Sequence, residues 1–135
     1  MENNSAPKAK QQWKKRIDVF RYIYTTIIDN IGVQDIKSKA YTEYDFGADQ
    51  MRVIEYYADN IETIQQLITS KLNPTWPWAR VKPILKAILF SAYSESKTLG
   101  IDKKIIIDQA IVTTKKYSEL NDYRFINAIL DKIIE

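Results

Sequence analysis

The sequence predicts an all-α fold of six or seven helices packed as two bundles. Three observations carry this expectation. Apolar residues make up 45% of the 135 residues, enough for a real core. Only three glycines and four prolines punctuate the chain, far fewer turn residues than a many-stranded β fold needs. Long segments rich in Ile, Ala, Lys, Gln and Glu carry apolar residues at helical spacing. The length suits one domain over residues 1–135. Within it, residues 1–12 read as a basic, flexible arm, 13–73 as an N-terminal half and 74–135 as a C-terminal half.

The first helix is expected from about Lys10 to Asn30. Ile17, Phe20, Tyr24, Ile27, Ile28 and Ile31 form one broad face, which Val19 and Ile23 widen. Gly32 stands where a glycine would end that helix. Ile36, Ala40 and Tyr44, spaced by four, permit a short second helix that Phe46–Gly47 breaks. From Ala48 to Leu72, Met51, Ile54, Tyr57 and Ala58 line one stretch, and Ile61, Ile64, Leu67, Ile68 and Leu72 line another. Asp59–Asn60 either caps the junction or lies within one continuous helix.

Asn73-Pro74-Thr75-Trp76-Pro77 is the clearest break. A helix is expected to follow with Pro77 in its first turn and Pro83 early in it. Val81, Ile84, Leu85, Ile88, Leu89 and Ala92 give it an inner face. Gly100 closes it. Asp102 then caps a helix with Ile107, Ala110, Ile111 and Thr114 inside. Asn121 or Asp122 caps the last helix, where Ile126, Ile129, Leu130, Ile133 and Ile134 follow a clean helical stripe. Trp76 and Trp78, flanking Pro77, are expected to seal the seam between the halves.

Composition narrows function. Without cysteine there is neither a disulfide framework nor a thiolate zinc site, and without histidine the usual neutral-pH general base is missing. No Gly-rich phosphate loop is present. The sequence is therefore expected to act by binding, with no enzymatic activity, no cofactor and no metal. No apolar run approaches the roughly 20 residues that cross a bilayer. Residues 1–15 carry no apolar signal-peptide core. A cytoplasmic protein without membrane contact is expected.

Charge is unevenly placed. Residues 1–31 hold six bases and three acids, 32–75 four and seven, and 76–135 ten and seven. Lys8, Lys10, Lys14, Lys15 and Arg16 form a run with no acid between Asn3 and Ile17. A basic arm with Trp13 beside it can grip phosphates and stack on a base, or serve as a solubilising tail. Lys115 and Lys116 can extend a basic face toward the last helix or be ordinary surface.

Three blocks of the C-terminal half resemble the NusB family, the bacterial transcription antitermination factors. Trp76-Pro77-Trp78-Ala79-Arg80 leading through Lys86 into Ala87-Ile88-Leu89 is similar to the family's Trp-x-x-x-Arg helix. Ile107-Asp108-Gln109-Ala110-Ile111 followed by Lys115-Lys116-Tyr117 resembles its Ile-Asn-Glu-Ala segment and Ala-Lys-x-aromatic end. Phe125-Ile126-Asn127-Ala128-Ile129-Leu130-Asp131-Lys132 resembles the closing Phe-Val-Asn-Gly-Val-Leu-Asp-Lys motif. Lys14-Lys15-Arg16 followed by Tyr24 is similar to the family's first helix. The sequence departs from the pattern at Leu85, where many members have an acid, and at Phe90, where they have Arg. It departs again at Ser94, where they have Tyr, and at Ala128, where they have Gly.

The resemblance implies binding of boxA RNA from ribosomal RNA operon leaders, jointly with the ribosomal protein NusE. The complex would join the RNA polymerase antitermination assembly and let polymerase pass terminators. On this reading Lys10, Lys14, Lys15, Arg16, Tyr24, Arg124 and Phe125 are candidate RNA-binding residues. Phe125 either stacks on an unpaired base or belongs to the core. Val81, Leu85, Lys86, Phe90 and Glu95 form the candidate protein-partner surface. The alternative is a NusB-fold interaction or self-associating module that has lost RNA recognition, motivated by Leu85 and Phe90. A homodimer is compatible with either.

Overall fold

A computed structural model describes the backbone of residues 5–135 and the side chains from Gln11 onward. Six helices follow in order: α1 Ser5–Ile28, α2 Val33–Glu43, α3 Ala48–Thr69, α4 Pro83–Thr98, α5 Lys103–Tyr117 and α6 Asp122–Ile133. A single 3-10 turn, Trp78–Arg80, precedes α4. The first three helices make one bundle and the last three another. α4 packs against α1, α3, α5 and α6 and so forms the shared centre. The expected all-α fold is the one observed. The expected arm 1–12 is helical from Ser5 on, and residues 1–4 lie outside the described part.

α1 buries Ile17, Val19, Phe20, Tyr22, Ile23 and Thr26. The apolar face expected from spacing is correct near Ile17 but rotates along the helix. Near its end Tyr22 donates to the Ile36 carbonyl at 2.5 Å, and Thr26 Oγ1 lies 2.8 Å from the Tyr57 hydroxyl. These contacts turn the far end toward α2 and α3 and leave Ile28, expected in the core, 52% exposed. The helix also ends differently from expectation. Asn30 (φ 53°), not Gly32, takes the left-handed position, and Ile31 N–H closes the turn on Thr26 O at 3.0 Å. Asn tolerates this conformation better than most residues. Gly32 is extended and leads into α2.

α2 buries Ile36 and Ala40, while Tyr44 lies at its end with its ring stacked on Phe46 at 5.0 Å. The backbone N–H of Gly47, the cap of α3, donates to Gln50 Oε1 at 2.8 Å. α3 is one helix with a kink: Asn60 leaves helical geometry (φ −129°, ψ 20°) and its amide donates to Tyr56 O at 2.8 Å. Both apolar stretches flanking this kink face inward, through Ile54, Tyr57 and Ala58 and then Ile64 and Ile68.

α4 begins at Pro83, not near Pro77. A proline disfavours helical geometry in the residue before it, whereas at the first helical position its missing N–H costs nothing. Trp78 packs edge-on against Phe90 at 5.8 Å, but Trp76 is 48% exposed and seals nothing. Because four helices surround α4, burial extends around it to Leu85, Ala87, Phe90, Ser94 and Glu95. Gly100 (φ +64°) supplies the left-handed turn that ends α4. Ile106, Ile107, Ala110, Thr113 and Thr114 face inward from α5. The stripe expected on α6 is buried throughout, with Ile126 and Leu130 fully enclosed.

Candidate nucleic-acid interface

The basic run on α1 divides into free and paired charges. Lys15 is exposed. Lys14 is exposed too, with Nζ 3.1 Å from Asp18 in the next turn, an interaction worth a few tenths of a kcal/mol at most. Arg16 differs. Its Nε donates to both carboxylate oxygens of Glu95 on α4, at 2.8 and 3.1 Å. Burial pushes the Glu95 carboxyl above its ordinary range, and the Arg16 guanidinium opposes that shift. Arg16, expected to be clear of acids, thus has its Nε committed within the fold. The side chain of Lys10 lies outside the described residues. Tyr24 is half-buried.

The end of α5 meets both α1 and the start of α6 through aromatic rings. Phe20 packs against Tyr117 with ring centroids 5.5 Å apart. Lys116 Nζ stands 5.5 Å from the Trp13 ring and 5.9 Å from that of Tyr117. One residue away, Lys115 Nζ lies 4.6 Å from the ring of Tyr123, and the Arg124 guanidinium 5.8 Å from it. The result is a band of cations and rings running from α1 over α5 to α6. Arg124 and, less, Lys115 hold the Tyr123 phenol below its usual range. Phe125 is half-buried against the core beside this band.

The α5–α6 turn is fastened from below. Lys82 Nζ lies 2.8 Å from Asp122 and 3.4 Å from Glu119. Ser118 Oγ donates to the same Asp122 oxygen at 2.6 Å. Partial burial raises the Asp122 carboxyl, but Lys82 and Ser118 outweigh it and hold the carboxyl below its ordinary value. These bonds fix the first turn of α6 and hence the placement of Tyr123 and Arg124.

Four of the five residues expected to form a protein-partner surface lie inside the chain. Val81, Leu85, Phe90 and Glu95 are buried within the chain. Phe90 is enclosed by Tyr57 at 5.1 Å and Trp78 at 5.8 Å, and Glu95 by Arg16. Lys86 is half-buried, its ammonium 4.6 Å from the Trp78 ring. The self-association patch expected from Leu85 and Phe90 is therefore absent from these positions. The sequence marks Tyr117 only as the aromatic end of a family-like segment, and it does not mark Tyr123 at all. As RNA contacts their signal is adjacency to basic residues, in Lys115-Lys116-Tyr117 and Tyr123-Arg124. Among the described residues no three carboxylates converge as a metal site, and no helix is long and apolar enough to cross a membrane.

Comparison with known proteins agrees with this architecture. The family model described as the NusB family matches residues 19–135. The transcription antitermination protein NusB of Borreliella burgdorferi is 31% identical over 130 residues, covering 89% of this chain and 91% of that protein. Its counterpart in Shewanella amazonensis is 28% identical over 131 residues, covering 94% and 97%. The solved structure of T. maritima NusB superposes with a TM-score of 0.75 at 23% identity, over 90% of this chain and 89% of that one, which speaks to the fold. With the match running through nearly all of the described helices, the chain belongs to the NusB family of transcription antitermination proteins.

Proposed function

We propose that this protein is an RNA-binding transcription antitermination factor. It would bind boxA RNA of ribosomal RNA operon leaders together with the ribosomal protein NusE and help RNA polymerase pass terminators. It would do so in the cytoplasm and without catalysis. The observation that carries the RNA part is the band of alternating cations and rings: Trp13 with Lys116 and Tyr117, then Lys115 with Tyr123 and Arg124.

Single-stranded RNA needs two things from a protein surface. Cations must replace the counterions of its phosphates, and flat rings must receive its unpaired bases. The band offers both within one patch, and Lys14 and Lys15 add charge from α1 beside Trp13. Lysines lying over rings are held near them by modest cation–π attraction, so they are free to swing onto phosphates when a base takes their place. Phe125 and Arg124 keep their assignment to RNA contact on this reading. Lys10 belongs with them by its place in the basic run.

The test is a titration of boxA RNA and of a scrambled RNA of equal length against the protein at one salt concentration. Tighter binding of boxA supports the proposal. Equal affinities for the two would remove it.

A further inference from the structure

Between α1 and α5 lies a groove floored by α4 and closed at one end by the start of α3, with a volume of about 310 Å³. Phe20, Val53, Ile88, Ile106 and Ala110 give it apolar walls. Its polar lining includes Gln12, Lys15 and Arg16 from α1, Asp49 from α3, Glu95 from α4 and Gln109 from α5. The size and the mixture of apolar walls with a few convergent polar groups are those of a ligand pocket.

The charges at the groove identify its occupant. Glu95 is matched by Arg16, and Asp49 by Arg52. Lys15 has no carboxylate partner among the described residues, so with Asp49 answered by Arg52 outside the groove its ammonium is left to meet an anion. The side-chain amides of Gln12 and Gln109 make no hydrogen bond among the described residues, and each offers a donor and an acceptor. An apolar slot, two amides and one free ammonium suit a flat heteroaromatic ring with a hydrogen-bonding edge and an attached phosphate.

The groove neighbours the cation–aromatic band through one buried ring. Phe20 belongs to both, lining the groove and packing on Tyr117 at 5.5 Å. Thr113, two residues before Lys115 on the same helix, also lines the groove. We infer that the groove receives one unpaired nucleotide of the bound RNA, its base among Phe20, Ile106 and Ala110 and its phosphate at Lys15. This inference rests on the RNA-binding reading above. Shared nucleotide chemistry leaves two sources to separate, an RNA strand and a free mononucleotide.

Ala110→Met fills the slot without changing charge, and Gln12→Ala removes one amide at an exposed position that the fold does not need. Ala110→Met should weaken boxA RNA binding roughly tenfold, the effect of losing one stacked base, and Gln12→Ala roughly fivefold, that of one lost hydrogen bond. Neither should alter the slope of affinity against salt, because no phosphate-neutralising cation is lost. Lys14→Ala, as the comparison, should lower that slope. If both groove variants bind boxA RNA within twofold of the unaltered protein while Lys14→Ala weakens it, the inference is overturned and the RNA-binding reading stands.

Titration with the four free ribonucleoside monophosphates separates the source. Saturable binding that Ala110→Met abolishes, with RNA affinity unchanged, would overturn the strand assignment and make a free nucleotide the occupant. Absence of any boxA preference in the unaltered protein would instead remove the RNA-binding reading, and the monophosphate titration would then decide the slot by itself. Should Ala110→Met fail to fold, Gln12→Ala carries the same test.

Discussion

Arg16 on α1 and Glu95 on α4 are 79 positions apart in sequence and form a largely buried ion pair, Nε 2.8 Å from Oε2. The pair ties the basic start of the chain to the central helix. It also removes from solvent a carboxylate that would otherwise offset the basic charge of α1. Truncating one member of such a pair leaves the other buried and unpartnered. Arg16→Ala should therefore destabilise the protein by about 3 kcal/mol, read from urea unfolding. Replacing both residues by methionine should recover most of that loss.

The pH dependence of that pair has a definite sign. Burial raises the Glu95 carboxyl above its unfolded value, so the folded state holds its proton more tightly than the unfolded state does. The stabilising effect of that proton is complete below the unfolded value and is lost as pH rises through the folded one. Without Arg16 the carboxyl should rise further. The deficit of Arg16→Ala should thus be largest near neutral pH and shrink as the buffer is taken toward pH 5. A deficit independent of pH would show that Glu95 is solvated in the variant.

Ser94 is fully buried on α4 and its hydroxyl has no hydrogen-bond partner among the described residues. A buried hydroxyl without a partner costs free energy that a methyl group does not. Ser94→Ala should raise stability by about 1 kcal/mol and the melting temperature by roughly 3–6 °C. Calorimetry checks this directly, and a lowered melting temperature would mean that the hydroxyl holds an internal water.

On the cation–aromatic band, ring and charge should separate by measurement. Lys115→Ala and Lys116→Ala should each lower the slope of log affinity against log salt by about 0.7, the value for one lost phosphate contact on a single strand. Tyr123→Phe should keep RNA affinity because the ring remains. Tyr123→Leu should lose roughly fivefold or more, with the salt slope unchanged. A large effect of Tyr123→Phe would assign the hydroxyl, and not the ring, to RNA contact.

The turn beneath that band should be acid-sensitive. Lys82 and Ser118 hold Asp122 below its ordinary value, so its contribution is present above the unfolded value and lost as pH falls through the lower, folded one. Amide exchange of Glu119, whose N–H points at Asp122, should accelerate in that acidic window. In Lys82→Ala the acceleration should begin at a higher pH.

The helices that could be read from sequence were those with a single inner face. The α6 stripe is legible because one side packs and the other meets water, and Gly100 is legible because a left-handed turn favours glycine. α4 is legible only in part, for the opposite reason. Spacing puts Leu85 on the inner face but cannot reveal that a helix is enclosed on several sides, so Phe90, Ser94 and Glu95 fall outside the face it predicts and are core all the same. Asn30 took the left-handed turn that Gly32 also permits, and Pro83 the helix start that Pro77 also suits. In each case local rules allowed two answers and tertiary packing selected one. The interface was legible only in pieces. Lys14, Lys15, Arg124 and Phe125 stand out in the sequence. That Lys116 meets Trp13, about a hundred residues earlier in the chain, depends on how α1 and α5 cross α4.

The most direct test of the account is the affinity for boxA RNA and for a scrambled control, each with and without NusE, at one fixed salt concentration. The account predicts that boxA RNA binds more tightly than the control and that NusE strengthens the boxA complex selectively. Equal binding of the two RNAs, unchanged by NusE, would contradict it and leave a NusB fold whose cation–aromatic band serves another purpose.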